Sequence, residues 1–212
     1  MHTIKRTVII HFDLSELSPN RVYYTMIQTL VPRPVAWVLS DNGNECFNLA
    51  PFSYFNGVAS DPPLLMISVG KKPDGSLKDT RTNIIERNEF VIHIAHREMA
   101  ALVTETSRLL PAGESELDNV NLETVPFGDF RLPRLKDCRV ALACERYRVD
   151  DITPTQAMIL GEVKAIYVDD AVITEDDKGR AKIHADKIDP ITRLGGDEYG
   201  LFGGIVNVPR PR

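Results

Sequence analysis

The feature that most restricts the fold is a pair of long alternating runs, about Arg139–Val149 and Ala157–Val168, with too few residues between them for a helical crossover. Alternation of apolar and polar positions marks a half-buried strand. A parallel return needs roughly a dozen residues or more, whereas an antiparallel neighbour needs only a tight turn. The same economy recurs along the chain. Pro34–Ser40 reads as a strand, Asp41–Asn44 as the turn into another, and Glu89–Ala95 as a further strand. Leu64–Val69 is nearly all apolar and is expected to be buried on both faces. Ala171–Thr174 and Ala181–His184 flank the turn Asp177-Lys178-Gly179. Helical signals are fewer. Ser18 followed by Pro19 opens a helix with Val22, Met26, Ile27 and Leu30 on one face, stopped by Pro32. Ser76 and Asp79 have capping-box spacing at the head of a helix to about Arg87. Met99, Leu102, Val103 and Thr106 recur at helical spacing, and Pro111–Lys136 has no clear period and reads as a long surface excursion. Strands outnumber helices, so the expectation is a mainly β fold, an antiparallel barrel or sandwich with helices packed outside.

Length and charge narrow the function classes. The 212 residues carry 25 Lys+Arg against 30 Asp+Glu, a formal charge of −5, with 43% hydrophobic residues. This is ordinary globular composition, and one domain over 1–212, its core about 18–200, is expected. Disorder, collagen and disulfide scaffolds are excluded by composition, and the mild acidity argues against general nucleic-acid binding. The longest stretch free of Asp, Glu, Lys and Arg, Cys46–Ser60, is 15 residues long and holds Asn48, Pro51, Ser53 and Asn56. A spanning helix needs about 20 mostly apolar residues, so no membrane segment is expected. Val8–Ile10 is too short for a signal core, and three cysteines without a C-x-x-C suggest free thiols. A cytoplasmic location is the expectation.

Most catalytic signatures are missing. The thirteen glycines contain no G-x-G, and neither a Walker loop nor a G-x-S-x-G elbow occurs. His93 and His96 lie three apart on a strand and so point to opposite faces, which argues against a metal pair. Asp150-Asp151, Asp169-Asp170 and Glu175-Asp176-Asp177 fall at turns, where carboxylates are solvated.

The informative region is Pro32–Asn83, which holds six of the fourteen prolines. Its uncharged stretch Asn48–Asn56 mixes aromatics with small polar groups, a composition that suits a flat apolar heterocycle with a few polar edges, and also an ordinary loop with core aromatics. Lys71–Arg81 carries four basic and two acidic residues and includes the start of a helix, where free N–H groups favour an anion. Lys78, Thr80 and nearby amides are candidates to hold a phosphate.

Four blocks together, Val31–Val38, Asn48–Asn56, Ser60–Pro63 and Lys78–Ile84, resemble the flavin reductase-like, FMN-binding split-barrel (flavoredoxin-like) family. Glu89–Ile92 and Pro190–Gly196 followed by Tyr199 resemble its later blocks, so the resemblance runs from about Pro32 to Tyr199. It implies an antiparallel six-stranded, Greek-key split β-barrel, a homodimer, and FMN near the dimer interface. Pro34, Val35, Ala36 and Trp37, with Asn48, Leu49, Ala50, Pro51, Phe52, Ser53 and Tyr54, would face the isoalloxazine and ribityl chain. Lys78, Asp79 and Thr80 would sit by the phosphate with Ser68 as a neighbour, and Arg193 and Tyr199 on the flavin or nicotinamide side. His93 departs from the Asn expected at its position. The implied activity is an NAD(P)H-dependent flavin reductase passing hydride from nicotinamide to FMN, then electrons to a small-molecule acceptor. No metal and no side-chain acid or base are required for that step. The alternative is an FMN-containing electron carrier, or an oxidoreductase reduced by a partner protein.

Overall fold

The computed structural model describes residues 11–43, 45–111, 113–209 and 211. The readings of Val8–Ile10 and Asn44 lie outside the described residues. Helix α1 (Pro19–Thr29) starts as expected, with the Ser18 hydroxyl accepting the Arg21 N–H at 3.4 Å. Strands β1 (Arg33–Pro34), β2 (Ala36–Gly43), β3 (Cys46–Phe52), β4 (Phe55–Ser60) and β5 (Pro63–Gly70) follow, then α2 (Asp79–Arg87) and β6 (Glu89–His93). Helices α3 (Ala100–Glu105) and α4 (Leu117–Val120) precede a hairpin of β7 (Thr124–Phe127) and β8 (Phe130–Leu135). The long strands β9 (Val140–Thr153) and β10 (Gln156–Val168) come next, then β11 (Ile173–Glu175), β12 (Ala181–Ile183), α5 (Ala185–Ile188), β13 (Thr192–Arg193) and β14 (Tyr199–Gly200).

Seven strands form one antiparallel sheet in the order β3-β2-β6-β9-β10-β5-β4. The two long alternating runs pair with each other, from Ala157 opposite Asp151 to Val168 opposite Val140. The mainly β fold expected from the sequence is present, but not the six-stranded count implied by the resemblance: among the described residues the main sheet has seven strands and no closed barrel. Its two ends, β3 and β4, are consecutive in the chain, yet the link Ser53-Tyr54 steps between them without pairing them, and the Tyr54 carbonyl instead accepts the Ser68 N–H on β5 at 2.8 Å. The sheet still curls far enough for Ala36, Val38 and Phe52 to share one inner core with Leu65, Ile67 and Val69. Phe90 lies across this core so closely that a Cβ on Gly161 would collide with its ring. The opposite face packs Trp37, Leu39, Leu49 and Val91 against Met99, Val103 and the β7–β8 hairpin. Between β1 and β14, β13 completes a separate three-stranded ribbon.

Several local expectations need correction. Strand β5 is buried on one face only: Leu65, Ile67 and Val69 point into the core, while Leu64, Met66 and Ser68 on the other face are half-buried. Ser76 does not cap α2. Its N–H and hydroxyl both donate to the Asp74 carboxylate, and Lys78 occupies the cap position. On α1 only Ile27 is buried, because the helix touches the molecule along a single line and leaves Met26 and Leu30 exposed. Pro111–Lys136 is no surface excursion: Val120, Phe127, Leu132 and Leu135 are buried. Pro126 and Pro133 interrupt the alternation that would have announced β7 and β8. Among the described residues no helix is long and apolar enough to cross a membrane. The cysteines are free. Burial pushes the Cys138 thiol up to about 12 and raises Cys144 as well, while half-buried Cys46 donates to the Gly113 carbonyl at 3.2 Å.

Candidate functional site

Helix α2 begins with no side-chain cap, so the N–H groups of Asp79 and Thr80 open its positive dipole end, while the Arg81 N–H already donates to the Lys78 carbonyl at 2.9 Å. Lys78 sits at that opening with its ammonium 5.6 Å from the centre of the Phe52 ring. Burial lowers its pKa, and no carboxylate lies within ion-pair distance among the described residues. Asp79 is paired with Lys72 at 3.1 Å. Thr80 is buried, and its hydroxyl accepts from the Asn48 amide at 2.8 Å. Asn48 also donates to the Ser40 hydroxyl at 3.3 Å, and Asn83 donates to the Ser40 hydroxyl at 3.1 Å and to the Asn42 side-chain Oδ1 at 2.7 Å. This mesh fixes the start of α2 against β2 and β3. A hollow of about 70 Å³ opens between Lys78, Thr80, Asn48 and Phe52, with Glu116 on its rim. The Glu116 carboxylate accepts the Leu49 N–H at 2.8 Å, and burial raises its pKa.

Pro51, Phe52 and Ser107 line this hollow and also a larger cleft of about 300 Å³, so the two form one groove. The cleft walls come from distant parts of the chain: Tyr23, Arg33, Val35, Ser53, Thr104, Arg193 and Tyr199. Arg33 holds several of them together. Its guanidinium donates to the Ile27 carbonyl at 2.5 Å, the Leu30 carbonyl at 2.6 Å and the Leu194 carbonyl at 2.6 Å, and its Nε reaches the Ser53 hydroxyl at 3.4 Å. Across the cleft Arg193 stacks over Tyr199, 4.7 Å from the ring centre, and the Tyr199 and Thr104 hydroxyls are 2.9 Å apart. Behind the wall runs a line of buried polar links. The Leu135 N–H donates to His93 Nε2 at 2.9 Å, which leaves the proton on Nδ1 to meet the Trp37 carbonyl at 3.1 Å. The Trp37 indole then donates to the Thr106 hydroxyl at 2.8 Å.

The groove brings together Val35, Asn48, Ala50, Pro51, Phe52, Ser53, Lys78, Asp79, Thr80, Arg193 and Tyr199. Six other sequence candidates do not line this groove, largely because of strand alternation. Ala36 is sealed in the inner core, and Trp37 and Leu49 in the outer one. Consecutive residues of a strand point to opposite faces, so Pro34–Trp37 cannot all turn toward one ligand. Pro34, Tyr54 and Ser68 line a neighbouring hollow of about 480 Å³, which shares Arg33 and Ser53 with the cleft and no residue with the Lys78 end; there Ser68 accepts from the Gln156 amide at 2.8 Å. His93 is wholly occupied by its two backbone partners, and His96 pairs with Glu98 at 3.3 Å. Arg33, Tyr23, Thr104, Ser107 and Glu116 were not singled out from the sequence. The placing of Arg33 between two prolines was a usable signal, since a fixed backbone there aims its side chain; the other four gave none.

Comparison with known proteins identifies the family and the fold. A family model described as the flavin reductase like domain matches residues 28–182. The structure of nitrilotriacetate monooxygenase component B from Bacillus cereus is similar, with 32% identity, a TM-score of 0.84, and coverage of 94% of this chain and 98% of that one. So is Pseudomonas fluorescens 2-nitrobenzoate 2-nitroreductase, at 30% identity, a TM-score of 0.85, and coverage of 95% and 96%. A split-barrel-domain protein from Shewanella frigidimarina, at 20% identity and a TM-score of 0.81 over 95% of this chain and all of that one, shares the fold.

Proposed function

The chain belongs to the flavin reductase-like domain family, and from that premise we propose that it binds FMN in the groove and acts as an NAD(P)H-dependent flavin reductase. The observation that carries this reading is the continuity of the groove, from an uncapped helix start with an unpaired, half-desolvated lysine to a cleft of aromatic, arginine and hydroxyl side chains. The donor set suits a molecule with a phosphate at one end and a flat ring system at the other. Lys78, Thr80 and the first amides of α2 would hold the phosphate. Phe52, Pro51 and Val35 would give the apolar bed, with Ser53 and Arg33 at its polar edge. Bound there, FMN would supply the capacity to accept hydride from a nicotinamide. The protein's part is to orient the two ring systems and exclude water, for which Arg193, Tyr199 and Thr104 form the facing wall. The names borne by the two relatives at 30% identity or more, a monooxygenase component and a nitroreductase, support an oxidoreductase role.

The test is an FMN titration of flavin-free protein followed by anaerobic addition of NADH, then NADPH. Flavin absorbance that binds and bleaches supports the proposal. Bound flavin that no nicotinamide reduces, but a reducing protein does, selects the carrier reading. Replacing Lys78 and Thr80 together by Ala should weaken FMN binding by about two orders of magnitude, since two hydrogen bonds to a charged group are lost. Unchanged affinity in that double variant would move the phosphate site elsewhere.

A further inference from the structure

A buried carboxylate shares the hollow proposed for the phosphate, and nothing in the fold requires its charge. Glu116 lines that hollow with Lys78, Thr80 and Asn48 and is only 7% exposed. Its structural duty is to close the free edge of β3 together with Ser115. The Ser115 hydroxyl donates to the Phe47 carbonyl at 2.5 Å, and the Leu49 N–H donates to Glu116 Oε2 at 2.8 Å. An amide oxygen would accept the Leu49 N–H equally well. The negative charge is therefore surplus to the strand, and a buried charge without a counterion is costly. Among the described residues Glu116 is in no ion pair. The charged groups lining the same hollow are Lys72, Asp79, Lys78 and Arg108. Lys72 pairs with Asp79 at 3.1 Å, Arg108 pairs with Glu105 at 2.5 Å, and Lys78 faces the Phe52 ring. Strand β3 brings no charged residue, and Glu114 and Asp118, the acidic neighbours of Glu116 in the chain, are exposed. Burial raises the Glu116 pKa against the Leu49 hydrogen bond, with Asp79 adding to the rise and Lys72 opposing it.

Resting on the flavin reading, we propose that Glu116 is a specificity-determining residue: it makes the hollow take a phosphate monoester together with one proton, held between the ester and the carboxylate. A monoester gives up its second proton near about pH 6, so close to neutrality that proton is readily taken back. A doubly charged phosphate beside a carboxylate is repelled. One proton between the two oxygens turns the repulsion into a charge-assisted hydrogen bond. The phosphate and Glu116 then titrate as a unit, so the proton belongs to the pair and not to either member. Lys78 and the first amides of α2 face a ligand of reduced charge, which suits a single, partly desolvated ammonium. Sulfate has the same shape but no proton to share near neutrality, and the same carboxylate turns it away. The hollow thus sorts oxyanions by their affinity for a proton.

The test titrates the flavin-free full chain, native and Glu116→Gln, with FMN from about pH 6.5 to 8.5 by flavin fluorescence, with riboflavin as the ligand that lacks the phosphate. For the native chain the FMN Kd should rise by about fivefold to tenfold per pH unit, because the complex holds a proton that its free partners have lost. Glu116→Gln keeps an acceptor for the Leu49 N–H and should remove the slope, binding FMN about tenfold or more tighter than the native chain at the alkaline end. Riboflavin should show no slope with either chain. As a competitor of FMN at the acid end, inorganic phosphate should outdo sulfate on the native chain, and Glu116→Gln should lose that preference. Thermal unfolding checks that the variant folds, and the native profile and the phosphate–sulfate contrast stand without it. A flat profile in the native chain overturns the proposal, as does sulfate competing as well as phosphate. A slope that survives in Glu116→Gln also overturns it, since the proton would then lie on Lys78 or on the phosphate alone. A chain that binds neither FMN nor riboflavin removes the flavin reading and this proposal together, whereas FMN bound without a slope removes this proposal alone.

Discussion

The two ends of the groove are built on opposite plans. At the α2 end, Asn48, Thr80, Ser40, Asn83 and Asn42 hold one another in a mesh in which Asn48, Ser40 and Asn83 each have two partners. At the cleft end, walls from widely separated stretches of chain are joined by a single side chain, Arg33 between α1, Ser53 after β3 and the β13 loop; a line of single links also runs behind the groove from Leu135 through His93 and Trp37 to Thr106. A mesh loses one member and keeps its shape, whereas a single tie releases whatever it held. The contrast suits a site that must fix a charged group rigidly at one end and admit a second molecule at the other.

The strongest challenge to this contrast is Arg33→Met. Three carbonyls would lose a charged donor, and the unfolding free energy in urea should fall by about 3–5 kcal/mol. A loss below about 1 kcal/mol would mean that the cleft end is held by something else. The second challenge is acid. Burial takes the His93 pKa down from 6.5 to about 3, so the folded chain keeps the ring neutral while the unfolded chain protonates it. The folded pKa is the lower of the two; this contribution is therefore fully present above about pH 6.5 and falls by about 1.4 kcal/mol per pH unit as the pH drops toward 3. His93→Asn should be less stable near neutrality yet lack that slope between pH 6.5 and 5, and an unchanged slope in urea titrations would remove His93 from the account. The smallest effect belongs to the mesh. Thr80→Val leaves the Asn48 amide its second acceptor at Ser40, and the expected loss is about 1 kcal/mol in the same assay. A cost equal to that of Arg33→Met would erase the distinction between the two ends.

The same contrast governs what the sequence discloses. The α2 end stood out because most of its residues cluster in two short blocks, Asn48–Asn56 and Lys78–Asn83, whose composition made them candidates to hold a ring and an anion. Strands β9 and β10 were legible because alternation persists over more than ten residues in each. The cleft was legible only in part: Arg193 and Tyr199 came through the resemblance, whereas Tyr23, Arg33 and Thr104 come from distant stretches and meet only through tertiary packing. The side chains of Pro34–Trp37 do not share one face, because a strand sends neighbours to opposite sides, which buries Ala36 on one side and Trp37 on the other. The hairpin β7–β8 was hidden by Pro126 and Pro133, and the open edge of the sheet by a two-residue link whose lack of pairing no local pattern records.

The buried thiols have a consequence for chemical durability. Peroxide attacks the thiolate form of cysteine, and a group whose proton is held as firmly as that of Cys138 offers almost none of it near neutrality. Cys144, sealed in the inner core, is shielded in the same way. Two of the three sulfhydryls are thus spared the sulfenic and sulfinic stages of oxidative ageing, and damage from stray oxidants falls first on Cys46, at the rim of the sheet.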